Sequence, residues 1–138
     1  YTKFLCNSAF NLLEEGILKE NYDKLVIGSL IDGLGFGNAS TTLGHALSYV
    51  YSNEGIVHGH ALAFTTTIAH KFNNSIFYER FANLVKKLKF EPINLKQSLD
   101  VSAELILTDK KHLDNNPKHV SKSDIVNLLK KINSTNFS

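Results

Sequence analysis

The sequence has little of several residue types that would indicate particular partners. Among its 138 residues there is one arginine, Arg80, and one cysteine, Cys6, with two prolines and neither methionine nor tryptophan. The planar guanidinium of arginine is the side chain that most often grips phosphate and reads guanine, and the formal net charge is only +2. Nucleic acid is therefore not the expected partner.

The single cysteine and the lack of long apolar runs bear on where the protein acts. Cys6 has no second cysteine for an internal disulfide, and no stretch resembles a secretory signal. The richest apolar run covers only residues 61–64 and is followed by three threonines. Its length is far below the roughly 20 apolar residues that cross a bilayer. We expect a cytoplasmic protein with no membrane partner, in which Cys6 has a structural role.

What the sequence does contain is the composition of one folded domain. It is 43% hydrophobic and 20% charged, and a chain of this length buries a single core. The chain begins at Tyr1 without an initiator methionine and enters a helical pattern at once. We interpret it as a piece of a longer protein, with removal of the initiator or of a tag as the alternative.

Hydrophobic periodicity predicts helices throughout, because apolar residues recur at steps of three and four and alternation is nowhere convincing. Asn21 is predicted to cap a second, buried helix, in which Gly28 and Gly33 allow a neighbouring backbone to approach closely. Ser121 and Asp124 have the spacing of a capping box for the last helix. The prediction is a single all-α domain of about seven helices. The predicted helices span residues 4–18, 22–34, 41–51, 59–70, 76–89, 95–107 and 125–132, with a polar loop over 109–120.

The glycine-rich stretch 33–37 only superficially matches a dinucleotide-binding fingerprint. That pattern needs a third glycine where this chain has Asn38, and it must follow a strand. Here the stretch ends a predicted helix, so we interpret the glycines as a helix exit. This chain alone is predicted to hold no nucleotide.

Three of the six histidines lie close together in the sequence, at His45, His58 and His60. Imidazole nitrogen suits iron, zinc or nickel, although His45 and His58 could equally be hydrogen-bonded core residues. On a helix, His60 lies about 200° around the axis from His58, so we favour His58 as a ligand and leave His60 as a pocket-lining or solvated residue. A catalytic metal normally takes at least three protein ligands, so two histidines are half a site. The remaining histidines are predicted to be solvated: His70, His112 and His119.

Two stretches of the sequence contain motifs in which the spacing of the histidines is informative. Gly-Phe-Gly-Asn at 35–38 leads to His45, nine residues after Phe36, and Gly-Ile-Val-His-Gly-His at 55–60 places His58 thirteen residues after His45. Both closely resemble the iron-containing alcohol dehydrogenase family, and residues 107–117 are similar to the way members of that family end. The resemblance covers essentially the whole chain.

The resemblance implies a set of site residues. His45 and His58 would be two of four ligands to iron or zinc, and Phe36, Tyr49 and His60 would line the pocket for substrate and nicotinamide. The other two ligands, an aspartate and a histidine, would belong to a helix upstream of this chain. Val57 replaces the usual proline, and Tyr49 stands where many members have a histidine, which leaves its role in substrate orientation or proton relay open.

The resemblance further implies the function. The chain would be the helical metal-binding half, residues 1–138, of an alcohol dehydrogenase or aldehyde reductase that uses NAD or NADP and is inactive alone. Its partners would be an alcohol or aldehyde and a Rossmann-like α/β nucleotide-binding domain, supplied in cis or in trans, and a homo-oligomer is compatible with it. One alternative is a helical interaction or regulatory module that keeps the family core without catalysis. Another is a small metal-dependent hydrolase that uses His45, His58 and His60.

Overall fold

The fold is all-α, as the sequence predicts. A computed structural model describes residues 1–137, and within that part of the chain it contains eight helices and no strand. None of these helices is both long enough and apolar enough to cross a bilayer. The packing forms two compact units, residues 1–41 and the residues from Thr42 onward. The helices are α1 (Thr2–Leu18), α2 (Tyr22–Phe36), α3 (Leu43–Asn53), α4 (His58–Phe72), α5 (Tyr78–Leu88), α6 (Leu99–Leu107), α7 (Lys110–Asp114) and α8 (Lys122–Asn133).

The first unit is a helical hairpin of α1 and α2. Glycines on α2 let the two helices approach closely: a Cβ atom on Gly28 would lie 2.9 Å from Cγ of Leu13, and one on Gly35 would lie 2.9 Å from Sγ of Cys6. The prediction of a close approach at Gly28 is confirmed. At Gly33 it is wrong, because an added Cβ there would meet no described atom within 4 Å.

The prediction that α2 is buried is also wrong. Asn21 caps the helix as predicted, with Oδ1 accepting a hydrogen bond from the Lys24 N–H at 3.1 Å. However, Tyr22, Val26 and Leu30 are 77%, 70% and 65% exposed. These residues follow one another at four-residue steps and share a face. That face lies opposite Gly28, which packs against α1, so a two-helix unit leaves it uncovered.

The second unit is built around α3 and α4, which pack against each other and against α6 and α8. A turn joins them at Glu54 and Gly55, where Gly55 takes a positive φ of 94° that favours glycine. The chain therefore reverses within a few residues, and the start of α4 lies beside α3. The largest fully buried side chains in this unit include Leu43, Leu47, Tyr51, Phe64, Ile125, Leu129 and Ile132.

The segment before α6 is irregular rather than helical, with bends at Lys96 and Gln97, which corrects the prediction of a helix from residue 95. The backbone N–H groups of Lys96 and Gln97 donate to the carboxylate of Glu54 at 2.8 and 2.9 Å. The N–H of Leu95 donates to Oδ1 of Asn133 at 3.3 Å. These side-chain acceptors come from distant parts of the sequence, and they satisfy the backbone donors without a helix.

We expect the Glu54→Ala substitution to destabilise the second unit by about 1–2 kcal/mol, because two backbone donors lose a charged acceptor. Glu54→Gln retains one acceptor oxygen and should cost less. The measurement is urea denaturation followed by circular dichroism. An alanine variant with the midpoint of the wild type would show that the carboxylate does not hold this segment.

The polar region before α8 contains one short helix and several side-chain hydrogen bonds. The five-residue α7 lies within the predicted loop, with Asp109 at its N-cap. Asn73 and Asn116 form a reciprocal amide pair, at 2.8 and 3.0 Å. The capping box of α8 is confirmed: Ser121 Oγ accepts from the Asp124 N–H at 3.2 Å, and the Ser121 N–H donates to the Asp124 carboxylate at 2.9 Å.

Candidate metal centre

The first two site residues are carried by adjacent helices of the second unit. His45 lies in the first turn of α3, and His58 is the first residue of α4 rather than part of the preceding turn. Their ring centroids are 5.6 Å apart, and the rings are inclined by 61°. The structure therefore brings together the two imidazoles that the sequence singled out.

This separation is close to that of two rings that share one ion. With metal–nitrogen bonds of about 2.1 Å, two imidazoles at adjacent positions of an octahedral or tetrahedral ion have ring centroids roughly 4.6–5.3 Å apart, slightly closer than those of His45 and His58. An edge-to-face approach is also a common packing of two aromatic rings. The ring positions are therefore compatible both with metal binding and with a pair of packed core histidines.

The ring of His58 is held by two serines and an aromatic ring. Its Nδ1 lies 3.5 Å from Oγ of Ser48 and 3.5 Å from Oγ of Ser52. Ser48 is fully buried and donates its own proton to the His45 carbonyl at 2.8 Å, so its oxygen is free to accept from His58 Nδ1. Tyr49 stacks on the same ring, with centroids 5.7 Å apart. This arrangement leaves Nε2 of His58 as the nitrogen that can bind an ion.

A third imidazole, His112 of α7, belongs to the same cluster. Its ring stacks on His45 with centroids 6.1 Å apart, and it lies 5.8 Å from the ring of Tyr49. Its Nδ1 is 2.6 and 2.7 Å from the two carboxylate oxygens of Asp109. The side chain is only 12% exposed, so the prediction that it is solvated is wrong.

Sequence reasoning missed His112 because it lies within a stretch that reads as a polar loop. The available signal was the Asp-x-x-His spacing of residues 109–112, which on one helical turn brings the two side chains together. A five-residue helix is too short for hydrophobic periodicity to reveal.

The environment of His45 favours its neutral form. Partial burial, and then the nearby His58 and His112, lower the pKa of His45 below its ordinary value of 6.5. A neutral ring keeps a lone pair on nitrogen, which is the form that binds a metal. His45 is therefore available as a neutral nitrogen donor.

The other histidines lie outside this cluster. Nε2 of His60 is 2.6 Å from the carbonyl oxygen of Glu91, and its ring stacks on Phe90 at 5.0 Å, so the structure does not bring His60 to the pair. His70 is partly buried, which lowers its pKa, and the prediction that it is solvated is wrong. His119 is exposed, as predicted.

The donor set within the chain is incomplete. Among residues 1–137, no group of three or more His, Cys, Asp or Glu side chains is close enough to hold a metal ion. The imidazoles of His45 and His58 fit iron or zinc by their chemistry and spacing, but they are only two donors. The predicted pocket residue Phe36 is the last residue of α2, in the first unit, where it is exposed.

A small cavity of about 190 Å³ adjoins the cluster. Tyr49 and Asp109, which both contact His112, line it. Most of the other lining side chains are apolar. The complete lining is Ala46, Tyr49, Val50, Asn53, Leu105, Ile106, Thr108 and Asp109.

Comparison with known families agrees with the fold and the motifs. A family model for the C-terminal domain of Fe-containing alcohol dehydrogenases matches residues 2–103, and the chain therefore belongs to this family. The match includes Phe36, His45, Tyr49 and His58, whereas His112 lies beyond it. The resemblance of residues 107–117 to the family's end stays a prediction. No curated protein and no solved structure matches the chain.

Proposed function

We propose that this chain is the metal-binding helical half of an NAD(P)-dependent alcohol dehydrogenase or aldehyde reductase, which transfers hydride between an alcohol and a nicotinamide. The observation that carries the proposal is the 5.6 Å separation of the His45 and His58 rings on adjacent helices. The family match supports it, because it covers both residues.

The donor chemistry suits iron or zinc, with the aspartate and histidine that complete the set coming from a helix outside this chain. When bound, the divalent ion acts as a Lewis acid that polarises the oxygen of the alcohol or aldehyde. The nicotinamide, as NAD or NADP, would be bound by an α/β domain in cis or in trans. We place this assembly in the cytoplasm.

Within this chain, His45 and His58 would each supply one ring nitrogen to the ion, and Ser48 and Ser52 contact the ring of His58. Tyr49 lies one turn after His45 and contacts the rings of both His58 and His112, so we assign it to the wall that faces the substrate. The role of Phe36 in the substrate pocket stays a prediction from the Gly-Phe-Gly-Asn motif. Rigid helices keep such donors in a fixed geometry.

The cavity beside Tyr49 supplies room for the carbon chain of the substrate. Its apolar lining of alanine, valine, leucine and isoleucine side chains suits an aliphatic group, and Asp109, which contacts His112, adds a polar group to the lining. This combination of an apolar wall with a few polar groups is typical of small-molecule sites.

The test is titration of the full chain with Co²⁺, a probe for iron and zinc sites, followed by calorimetry and visible absorption. We expect one weakly bound ion per chain, because the chain carries only two of the four proposed donors, and both His45→Asn and His58→Asn should weaken binding further by at least about tenfold. His119→Asn is the matched control, because His119 is exposed and lies outside the cluster. Unchanged affinity in both cluster variants would contradict the proposed site.

The assignment of nucleotide binding to another domain has its own test. The isolated chain should not reduce added NAD or NADP in the presence of alcohols. Turnover by the isolated chain would contradict the half-enzyme assignment, whatever the metal titration shows.

A further inference from the structure

The helix α2 carries five large apolar side chains that are between 50% and 77% exposed. Because α2 packs against α1 through Gly28, these side chains are left on its outer side. An exposed patch of apolar side chains often marks an interaction surface. We call this surface the α2 face, and it consists of Tyr22, Val26, Ile27, Leu30 and Leu34.

The area of the α2 face is sufficient for a small specific interface. Full burial of a tyrosine covers about 150–250 Å², and that of a valine, leucine or isoleucine about 60–120 Å². With their exposed fractions, the five side chains present roughly 400 Å² in each copy of the chain. Since about 60% of an interface is apolar, two copies joined through this face would bury roughly 1,300 Å² in total, which lies in the range of stable complexes.

Two small residues, Ser29 and Gly33, lie one turn apart beside these apolar side chains. Ser29 is exposed, and a Cβ atom on Gly33 would meet no described atom within 4 Å. On the opposite side of α2, Gly28 and Gly35 are the residues at which α1 approaches closely. The outer side thus also has room for a closely packed helix, since small residues let a neighbouring backbone approach.

The α2 face is nearly uncharged. Among the exposed residues between positions 22 and 34, Asp23 is the only charged one. The nearby cations Lys19 and Lys24 pair with Glu15 at 2.9 and 2.5 Å. A helix that binds an anionic membrane surface is rich in free lysine or arginine on its polar side, so the charges of this unit favour a protein partner.

We propose that the α2 face binds the α2 face of a second copy of this chain, with two-fold symmetry. A two-fold axis is the commonest symmetry of soluble oligomers, and it lets one self-complementary patch cover itself. An apolar surface with little charge is complementary to itself, because no like charges are brought together. The face contains none of the residues assigned to the metal or the substrate, so the interface is independent of the proposed function.

An antiparallel pairing of the two helices fits the one charge on this surface. Asp23 lies six residues before Ser29, the middle residue of α2. In an antiparallel pair centred on Ser29, the two Asp23 residues would be roughly 18 Å apart along the helix axis, at 1.5 Å per residue. This distance exceeds the screening length of about 8 Å in physiological salt, whereas a parallel pair would bring the two carboxylates together.

The first experiment is sedimentation velocity of the full chain over a series of concentrations that extends well above the micromolar range. We expect a reversible dimer with a micromolar Kd, because the interface is at the small end of the standard size. Val26→Lys and Leu30→Lys should each weaken dimerisation by at least about tenfold, since each buries an unpaired charge. Ile76→Lys is the matched control, because Ile76 is an 87% exposed residue of the second unit, and it should leave the Kd unchanged.

The second experiment mixes Leu30→Lys with Leu30→Glu, to test whether the face meets itself. Leu30 is adjacent to Ser29, so in the proposed pair the two substituted residues lie near the two-fold axis. Each variant alone should be monomeric, because like charges meet there. An equal mixture should dimerise again, because opposite charges then meet across the axis.

Three outcomes would overturn the proposal: a wild type that stays monomeric at every concentration, a loss of dimerisation in Ile76→Lys as large as in Leu30→Lys, or a mixture that stays monomeric. Binding of a monomeric wild type to vesicles of phosphatidylcholine and phosphatidylglycerol would assign the face to a membrane and also overturn it. Circular dichroism should show the same helical signal in every variant, because all the substituted side chains are exposed.

Discussion

Replacing Gly44 with alanine should destabilise the second unit by about 1–3 kcal/mol and also weaken metal binding. Gly44 directly precedes His45, and a Cβ atom on it would lie 2.8 Å from Oγ1 and 3.1 Å from Cα of Thr66 on α4. Since the second of these atoms belongs to the backbone, a side-chain rotation cannot relieve the clash. The helices α3 and α4 have to separate, which moves His45 relative to His58.

The measurements are urea denaturation and Co²⁺ titration of the same preparation. The matched control is Gly59→Ala, one residue after His58, where an added Cβ would meet no described atom within 4 Å. In that open helical position alanine should be neutral or stabilising by up to about 1 kcal/mol. If Gly44→Ala unfolds at the same urea concentration as the wild type, the two helices do not pack as closely as described.

Replacing Phe64 with alanine should destabilise the second unit by about 3–5 kcal/mol, the largest effect that we expect. Phe64 is fully buried on α4, and its ring lies 4.9 Å from that of Phe137 and 5.7 Å from that of His60. The destabilisation has two parts: the free energy that burial of the ring no longer contributes, and the cost of the cavity left behind. Urea denaturation measures the change in the free energy of unfolding.

Two further variants make this result specific. Phe64→Leu keeps an apolar side chain in the core and should cost less than alanine. Ile76→Ala removes an apolar side chain that is 87% exposed, and it should change stability by no more than about 0.5 kcal/mol. Equal effects of Phe64→Ala and Ile76→Ala would contradict the described core.

The helices could be predicted where their signals are local. Asn21, Ser121 and Asp124 act within three residues of the backbone groups that they satisfy, and the structure confirms both the Asn21 cap and the Ser121–Asp124 capping box. The start of α6 could not be predicted, because the acceptor of the Lys96 N–H is Glu54, far away in the sequence. Long-range hydrogen bonds of this kind produce no periodic pattern in the sequence.

The prediction that α2 is buried is wrong for a related reason. Apolar content indicates that a helix has a face to cover, but which face is covered depends on the neighbouring helix. Gly28 marks the covered face, since small residues allow close approach, and Val26 lies on the other. In the site, His45 and His58 were found through motif spacing, whereas His112 reaches them only through the tertiary fold.

The amide pair of Asn73 and Asn116 has a consequence for modification. Asn73 begins an Asn-Asn-Ser triplet and Asn133 an Asn-Ser-Thr triplet, which are acceptor patterns for N-linked glycans. However, the Asn73 amide is engaged with Asn116, and Asn133 Oδ1 accepts from the hydroxyl of the buried Tyr51 at 2.9 Å. A sugar attached to the Asn73 nitrogen would crowd the hydrogen bond that this nitrogen donates to Asn116, so in the folded chain the Asn73 amide serves packing.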